Sequence, residues 1–417
     1  MTRLKKAASL FGGRKISWAM LDQLVVSAGN FTTNIVLARL FSAENYGVFV
    51  FFFGLTMFLG TIHNAVVVYP LSVIGATANA RKFNRMAGSS LILAAILTVP
   101  MFFVLLAVAW FLGKPHLVFY VFPWLVFGQL QETLRRCFFA RLEFARSLPG
   151  DALSYAGQAA AIFFLAWSEK LSLEIVFLAL SLTSLAAFVV QFAQLGVGFP
   201  TVRAVLINSR RFIRLGRWMF LTNTVRVIPM QAVTWVLVAF HGTAMAALVQ
   251  AVFNMLNVMN PLIFSVQNLI LPAAARANAT SGIEEARRLV WRRTLQGALI
   301  LSPYYLLLLA FPTFALEIYY GADSPYHALG FALQIYTLFH ILNYITTAPK
   351  LLLSALKRSR QVFYAEIPPT VALIVVAMPL TAVFGFFGAV AGSIFEGFSR
   401  LIANLLYARR IAEIEES

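Results

Sequence analysis

The sequence predicts an all-α integral membrane protein. Of its 417 residues 60% are hydrophobic and only 12% charged, about half the charge of an ordinary soluble domain. The mean hydropathy is +0.80. Apolar stretches also recur along the chain at about the 20-residue length that crosses ~30 Å of hydrocarbon.

These stretches place helices near 17–40, 46–75, 87–112, 116–137, 151–168, 172–196, 217–240, 243–274, 295–320, 327–352, 362–384 and 387–408, about 12 crossings. The first follows Arg3, Lys5, Lys6, Arg14 and Lys15, as a secretion signal would. It nevertheless runs on to Arg39, lacks a small-residue cleavage site and holds Asp22, Asn30 and Asn34, so it reads as a retained helix. The turn at Phe384 to Phe387 is the least marked division. Between 283 and 293, Glu284 and Glu285 alternate with Arg287 and Arg288, the pattern of either a surface helix or a solvated extension of the next crossing.

Charge then sets orientation. The 33 Lys and Arg exceed the 16 Asp and Glu to give +17. With the N-terminus inside, every basic residue except Arg39, Lys114, Lys170 and Arg226 falls on a cytoplasmic segment. The +17 is thus read as topology with anionic lipid as neighbour, not as nucleic-acid binding. Both termini are expected in the cytoplasm.

Cys137, the single cysteine, forms no intramolecular disulfide and no cysteine metal site. No phosphate-cradling glycine loop, dinucleotide turn or HExxH occurs, and no soluble catalytic domain interrupts the helices. The chain is therefore expected to be no enzyme and to carry neither cofactor nor metal.

An internal repeat is legible. Trp18-Ala-Met-Leu21 corresponds to Trp218-Met-Phe-Leu221, Tyr69-Pro70-Leu71 to Leu271-Pro272-Ala273, and Phe139-Ala-Arg-Leu142 with Arg146 to Ser354-Ala-Leu356-Lys357 with Arg360. Two six-helix halves, 1–205 and 206–417, follow, related by a parallel pseudo-two-fold around a central cavity.

Polar faces mark that cavity. On the first helix Asp22, Gln23, Ser27, Asn30, Thr33 and Asn34 share one side. The second helix adds Asn64, the fourth Gln129, Gln131 and Glu132, the tenth Gln334, His340 and Asn343. On the eighth, Gln250, Asn254, Asn257 and Asn268 cluster, with Asn260 and Gln267 nearby. Such amides serve either as interhelical glue or as the lining of a hydrated cavity. Arg226 is the one base assigned to a helix interior, at a depth comparable to Asp22. The two either pair with each other or leave Arg226 free for an anionic substrate. Glu396 and Arg400, four residues apart, read as a local ion pair, with Asp22 and Glu396 as candidate ion-coupling carboxylates. Pro70, Pro261 and Pro272 are candidate bending points.

The opening residues carry a family resemblance. Asp22-Gln-Leu-Val-Val-Ser-Ala-Gly-Asn-Phe31, then Leu37-Ala-Arg-Leu40 and Glu44-Asn-Tyr-Gly-Val48, resemble the start of bacterial O-antigen and exopolysaccharide flippases of the multidrug/oligosaccharidyl-lipid/polysaccharide (MOP) exporter superfamily. The resemblance implies alternating-access export of an undecaprenyl-diphosphate-linked oligosaccharide across the bacterial inner membrane. It further implies a functional monomer, coupling to H⁺, Na⁺ or the membrane potential, and polysaccharide polymerase and chain-length proteins as partners. Arg226 would then meet the diphosphate, and Gln23, Asn30, Asn34, Asn64, Gln250, Asn254 and Asn257 the sugar hydroxyls. A cation-coupled multidrug antiporter and a peptidoglycan-precursor flippase remain alternatives, the former disfavoured by an interior Arg with few interior acids. A membrane-embedded glycosyltransferase or polymerase, from another class, would need larger outer loops.

Overall fold

A computed structural model describes residues 13–75, 78–198, 200–356 and 358–416. Arg3, Lys5 and Lys6, and the side chains of Arg226, Asn268, Pro272 and Arg360, lie outside the described residues. The described chain is helical throughout and holds no strand.

Helix α1 (Gly13–Leu40) leads into α2 (Ala43–His63), which passes through a π-helical turn, Asn64–Val68, into α3 (Tyr69–Gly75). Pro70 stands two residues past that turn, where the missing N–H of proline needs a local adjustment of the helix. Asn79 caps α4 (Ala80–Phe111), accepting from the Lys82 amide at 3.0 Å. Then come α5 (Val118–Ala140), α6 (Phe144–Asp151), a second π turn at Ala152–Ala156, and α7 (Gly157–Trp167). Helix α8 (Leu173–Leu195), capped by Ser172, ends on left-handed Gly196.

Beyond it run α9 (Val202–His241), α10 (Thr243–Asn257), α11 (Asn260–Ala310), α12 (Pro312–Tyr320), α13 (Gly330–Ala355), α14 (Ser359–Ala365), α15 (Ile367–Ala372), a third π turn at Leu373–Ala377, and α16 (Met378–Glu416). Two of these are hairpins hidden in one helical run. Gly282 (φ 83°) breaks α11 and Gly385 (φ 58°) breaks α16, both in the region open to glycine. Beyond Gly385 the arms close so tightly that a Cβ on Gly388 would lie 1.9 Å from the Leu380 carbonyl oxygen. The turn expected at Phe384 to Phe387 is this break. Residues 283–293 are the helical extension of the following segment, not a separate surface helix.

One expectation is corrected. The segment 243–274 is not one helix bent at Pro261, because the chain breaks at Val258–Met259 and Pro261 sits in the first turn of α11. Proline is tolerated there since a first-turn N–H has no helical partner anyway.

The chain forms two compact units, Met1–Leu40 with Phe52–Thr224 and Phe41–Phe51 with Val225–Ser417. The core of the first gathers Val67, Leu71, Phe83, Met86, Leu134, Phe138 and Phe212. In the second, Ile270, Val290 and Ala348 form one cluster and Ile263, Leu301, Tyr305 and Tyr344 another. The outer surface of the first is apolar too, with Trp110, Phe111, Phe119, Phe164 and Trp167 all exposed around the loops bearing Lys114 and Lys170, as aromatic residues are at a membrane boundary.

Among the described residues Ala43–Ser72, Ala80–Phe111, Leu173–Leu195, His327–Ala355 and Gln361–Arg409 are each long and apolar enough to cross a membrane. Arg276–Ala310 with Pro312–Tyr320, bent by 95°, makes a sixth if counted as one. The chain is a multi-pass membrane protein. The expected crossings at 17–40 and 116–137 are helical but carry polar and charged residues that keep them outside this set, while 217–240 is helical and runs partly through side chains outside the described residues, leaving Gln231–His241 as a shorter apolar helix.

Candidate functional site

The first unit contains a buried network of charge. Helix α5 carries Gln131, Glu132, Arg135 and Arg136, spaced three and four apart so that their side chains meet along one side. Arg135, 6% exposed, is its centre. Its Nη2 donates to Asp22 Oδ2 on α1 at 2.6 Å, its Nε to Asp151 Oδ2 at the end of α6 at 2.9 Å, and its Nη1 to Glu132 at 3.4 Å. Arg136 holds the other Glu132 oxygen.

The remaining carboxylate oxygens are also met. Ser147 Oγ donates to Asp22 Oδ1 at 3.1 Å, while Gln131 and Gln191 donate to Asp151 Oδ1 at 3.2 and 3.3 Å. Asp22 and Asp151 are both 0% exposed. Carboxylates so buried persist only when paired and hydrogen-bonded in this way. Asp151 lies immediately before the π turn Ala152–Ala156, and π turns of this kind recur where a helix re-aims side chains at a functional site. The network therefore sets three carboxylates against two guanidinium groups.

Two expectations change here. Arg135, taken as a loop charge, lies inside α5 and is buried, so Arg226 is not the only base within a helix. The interior is also not poor in acids. The partners that hold Asp22 are Arg135 and Ser147, whereas the side chain of Arg226 lies outside the described residues.

The amides of α1 lead away from this network. Gln23 is exposed and donates to Ser27 at 3.3 Å, Asn30 is half-buried and accepts from Gln158 at 3.4 Å, and Asn34 donates to the Asn30 carbonyl oxygen at 2.9 Å. Asn64, half-buried, heads the first π turn. Gln23 and Asn30 thus retain accessible polar surface, while Asn34 is occupied inside its own helix.

In the second unit Gln250 donates to Asn254 at 2.7 Å, and Asn254 donates to the buried Tyr46 hydroxyl at 2.8 Å. Asn257, exposed, accepts from Asn260 at 2.9 Å. Arg400 joins Glu396 and donates to Glu366 at 2.6 Å, and Lys350 reaches the other Glu366 oxygen at 2.6 Å. Glu396 is therefore half of a local pair, as its spacing from Arg400 predicts. No group of three or more His, Cys, Asp or Glu able to hold a metal occurs among the described residues.

No protein-family model and no curated protein matches the sequence. Solved structures do. An inward-facing multidrug resistance MATE family transporter of the MOP superfamily superposes with a TM-score of 0.74 at 15% identity, covering 95% of this chain and 99% of that one. The lipid II flippase MurJ, in an inward closed conformation, gives 0.76 at 13%, covering 94% and 87%. A MOP superfamily transporter from Pyrococcus furiosus, described as having a binding pocket of reverse polarity, gives 0.61 at 15%, covering 97% and 95%. The chain has the MOP transporter fold.

Within that fold the opening motif acquires physical roles. A Cβ on Gly29 would lie 2.4 Å from the Tyr155 carbonyl oxygen, so glycine lets α1 press against the second π turn. Gly47 does the same for α2, where a Cβ would lie 1.8 Å from the Thr243 carbonyl oxygen. Tyr46, fully buried, packs edge-on against Tyr326. The acidic-aromatic-glycine turn is thus an anchor between helices, and Arg39 beside it is exposed.

Proposed function

We propose that the chain is a transporter of the bacterial inner membrane, built from about 12 crossings in two six-helix halves with both termini cytoplasmic. It moves an undecaprenyl-diphosphate-linked oligosaccharide from the inner to the outer leaflet by alternating access. The observation that carries this reading is the accessible amide row of α1, Gln23 and Asn30, running out from the buried Asp22, Arg135 and Asp151 network in the same unit. Amides are the donors and acceptors that sugar hydroxyls require. Asn64, Gln250 and Asn257 add further amides, and Arg226 is assigned to the diphosphate.

Moving an anion outward across an inside-negative membrane is downhill by about 2.3 kcal/mol per charge per 100 mV. The network at Asp22, with one carboxylate in excess, then serves as the element that H⁺ or Na⁺ can reset, with Glu396 as the counterpart candidate in the second unit. The protein works as a monomer alongside polysaccharide polymerase and chain-length proteins.

A cation antiporter is the second reading, favoured by the three carboxylates set against two guanidinium groups. The experiment separates them. Full-length protein in liposomes is given a fluorescent undecaprenyl-diphosphate oligosaccharide, and its appearance in the opposite leaflet is read by dithionite quenching. Flipping above empty liposomes, lost in Arg226→Ala and partly kept in Arg226→Lys, is the expected result. Proton-dependent ethidium transport without flipping would replace this reading by the antiporter.

A further inference from the structure

At the end of the first unit where α4 begins, remote from Trp110 at its other end, a cavity of about 510 Å³ opens between α4 and the start of α9. Arg81, Lys82, Arg85, Asn79, Ile207 and Asn208 line it. A second cavity of about 370 Å³ shares Arg81 and Arg85 and continues under Gly196 and Gly198. Neither is lined by a carboxylate, and among the described residues none of the three cations is paired with one.

The walls are fixed. Asn208 on α9 donates to Ser89 on α4 at 2.9 Å. The loop after α8 presses so closely that a Cβ on Gly88 would lie 2.7 Å from the Gly198 carbonyl oxygen. Phe83 on the same turn of α4, fully buried, carries the Arg141 guanidinium 3.9 Å above its ring. Asn79 already occupies the Lys82 amide at the helix start, and the charged donors here are side chains.

Arg81 and Arg85 stand one helical turn apart, an unfavourable like-charge pair unless an anion lies between them. Two guanidinium forks and an ammonium are the donor set suited to phosphate oxygens. The adjoining turns of α9 expose Val202, Leu206 and Ile207, which a soluble anion would leave in water and an acyl chain would cover.

We propose that this cavity binds the phosphate group of an anionic lipid, its diester on Arg81, Lys82 and Arg85 and its chains along Val202, Leu206 and Ile207. The site stands independently of the transported substrate. Its role is to hold the α4 and α9 ends at a negatively charged membrane surface.

Purified full-length protein in mixed micelles is titrated with phosphatidylglycerol, with bound lipid counted by native mass spectrometry. Phosphatidylcholine and inorganic phosphate form the other arms. Saturable phosphatidylglycerol binding is expected, weakened on the order of 100-fold in Arg81→Gln/Lys82→Gln/Arg85→Gln. Ala204→Trp, which fills the cavity without changing charge, is expected to lose the same lipid. Arg288→Gln/Arg292→Gln/Arg293→Gln removes equal charge elsewhere and is expected to bind as wild type. Unchanged binding in both cavity variants, or equal loss in the remote one, overturns the site. Inorganic phosphate displacing the lipid at millimolar concentration overturns the lipid as its occupant.

Discussion

The Arg135 network makes a sharp prediction about stability. The Arg135 guanidinium lies 2.6 Å from Asp22 and 2.9 Å from Asp151. At an effective dielectric of ~20 each attraction is about 6 kcal/mol, set against a desolvation cost of several kcal/mol per ion. Arg135→Met removes the shared cation and leaves two fully buried carboxylates opposite each other. Losing one partner of a buried pair costs about 3–5 kcal/mol, or roughly 6–20 °C in the unfolding midpoint of a unit of this size. The same reasoning predicts rescue. Asp22→Asn/Arg135→Met/Asp151→Asn contains no unpaired charge and should unfold close to the wild type, since replacing a whole buried ionic group by neutral residues is often nearly neutral. Thermal unfolding in detergent, followed by fluorescence, measures both. A single variant that unfolds with the wild type, or a triple variant as unstable as the single one, refutes the account.

Three further outcomes are expected. Gly385→Ala places a side chain at φ 58° and ψ −130° and should cost about 1–3 kcal/mol, whereas Gly128→Ala, with nothing within 4 Å of the new Cβ, should be neutral or stabilising; parallel thermal unfolding compares them. Lys350→Met breaks a pair whose lysine side chain is 40% exposed and whose Glu366 retains Arg400, so a loss of about 0–1 kcal/mol is expected in the same assay. Cysteines introduced at Lys114, Lys170 and Asp323 should react with an impermeant maleimide from outside the cell and those at Arg81 and Arg358 should not, with the native Cys137 silent because it is buried; external labelling at 81 or 358 would overturn the topology.

Much of the fold was legible because it is written in local chemistry. The apolar runs around Phe384 and Phe387 are divided at Gly385, as their length requires. The polar side of α1 is visible as spacing alone. The charge network was only half legible. Glu132 with Arg135 and Arg136 shows the three- and four-residue spacing of a helical ion cluster, but counting basic residues toward the cytoplasmic side sends Arg135 to a loop. Asp151 falls at the edge of an apolar run, where a carboxylate reads as a boundary. Its burial comes from residues 22, 131, 135 and 191, contributed by three other helices, and no local pattern encodes that meeting. The π turns likewise have no composition of their own.

Side-chain pairing adds to the repeat what sequence matches carry only weakly. Arg135 near the end of α5 bonds Asp151, and Lys350 near the end of α13 bonds Glu366, each across 16 residues. Base matches base and acid matches acid at the same offset that separates Phe139-Ala-Arg-Leu142 from Ser354-Ala-Leu356-Lys357. Each acid also takes a second donor from a later helix, Gln191 on α8 and Arg400 on α16. Both are followed by a π turn, at Ala152–Ala156 and Leu373–Ala377. These are the coincidences that the expected repeat would leave. The two clusters differ in environment: the first buries its acid completely and includes Asp22 from α1, whereas in the second the Lys350 side chain is 40% exposed and Glu366 only partly buried. Charge held out of water responds far more strongly to the gain or loss of a proton or cation than charge held in it, so a change in protonation or a bound cation would disturb the first cluster more than the second.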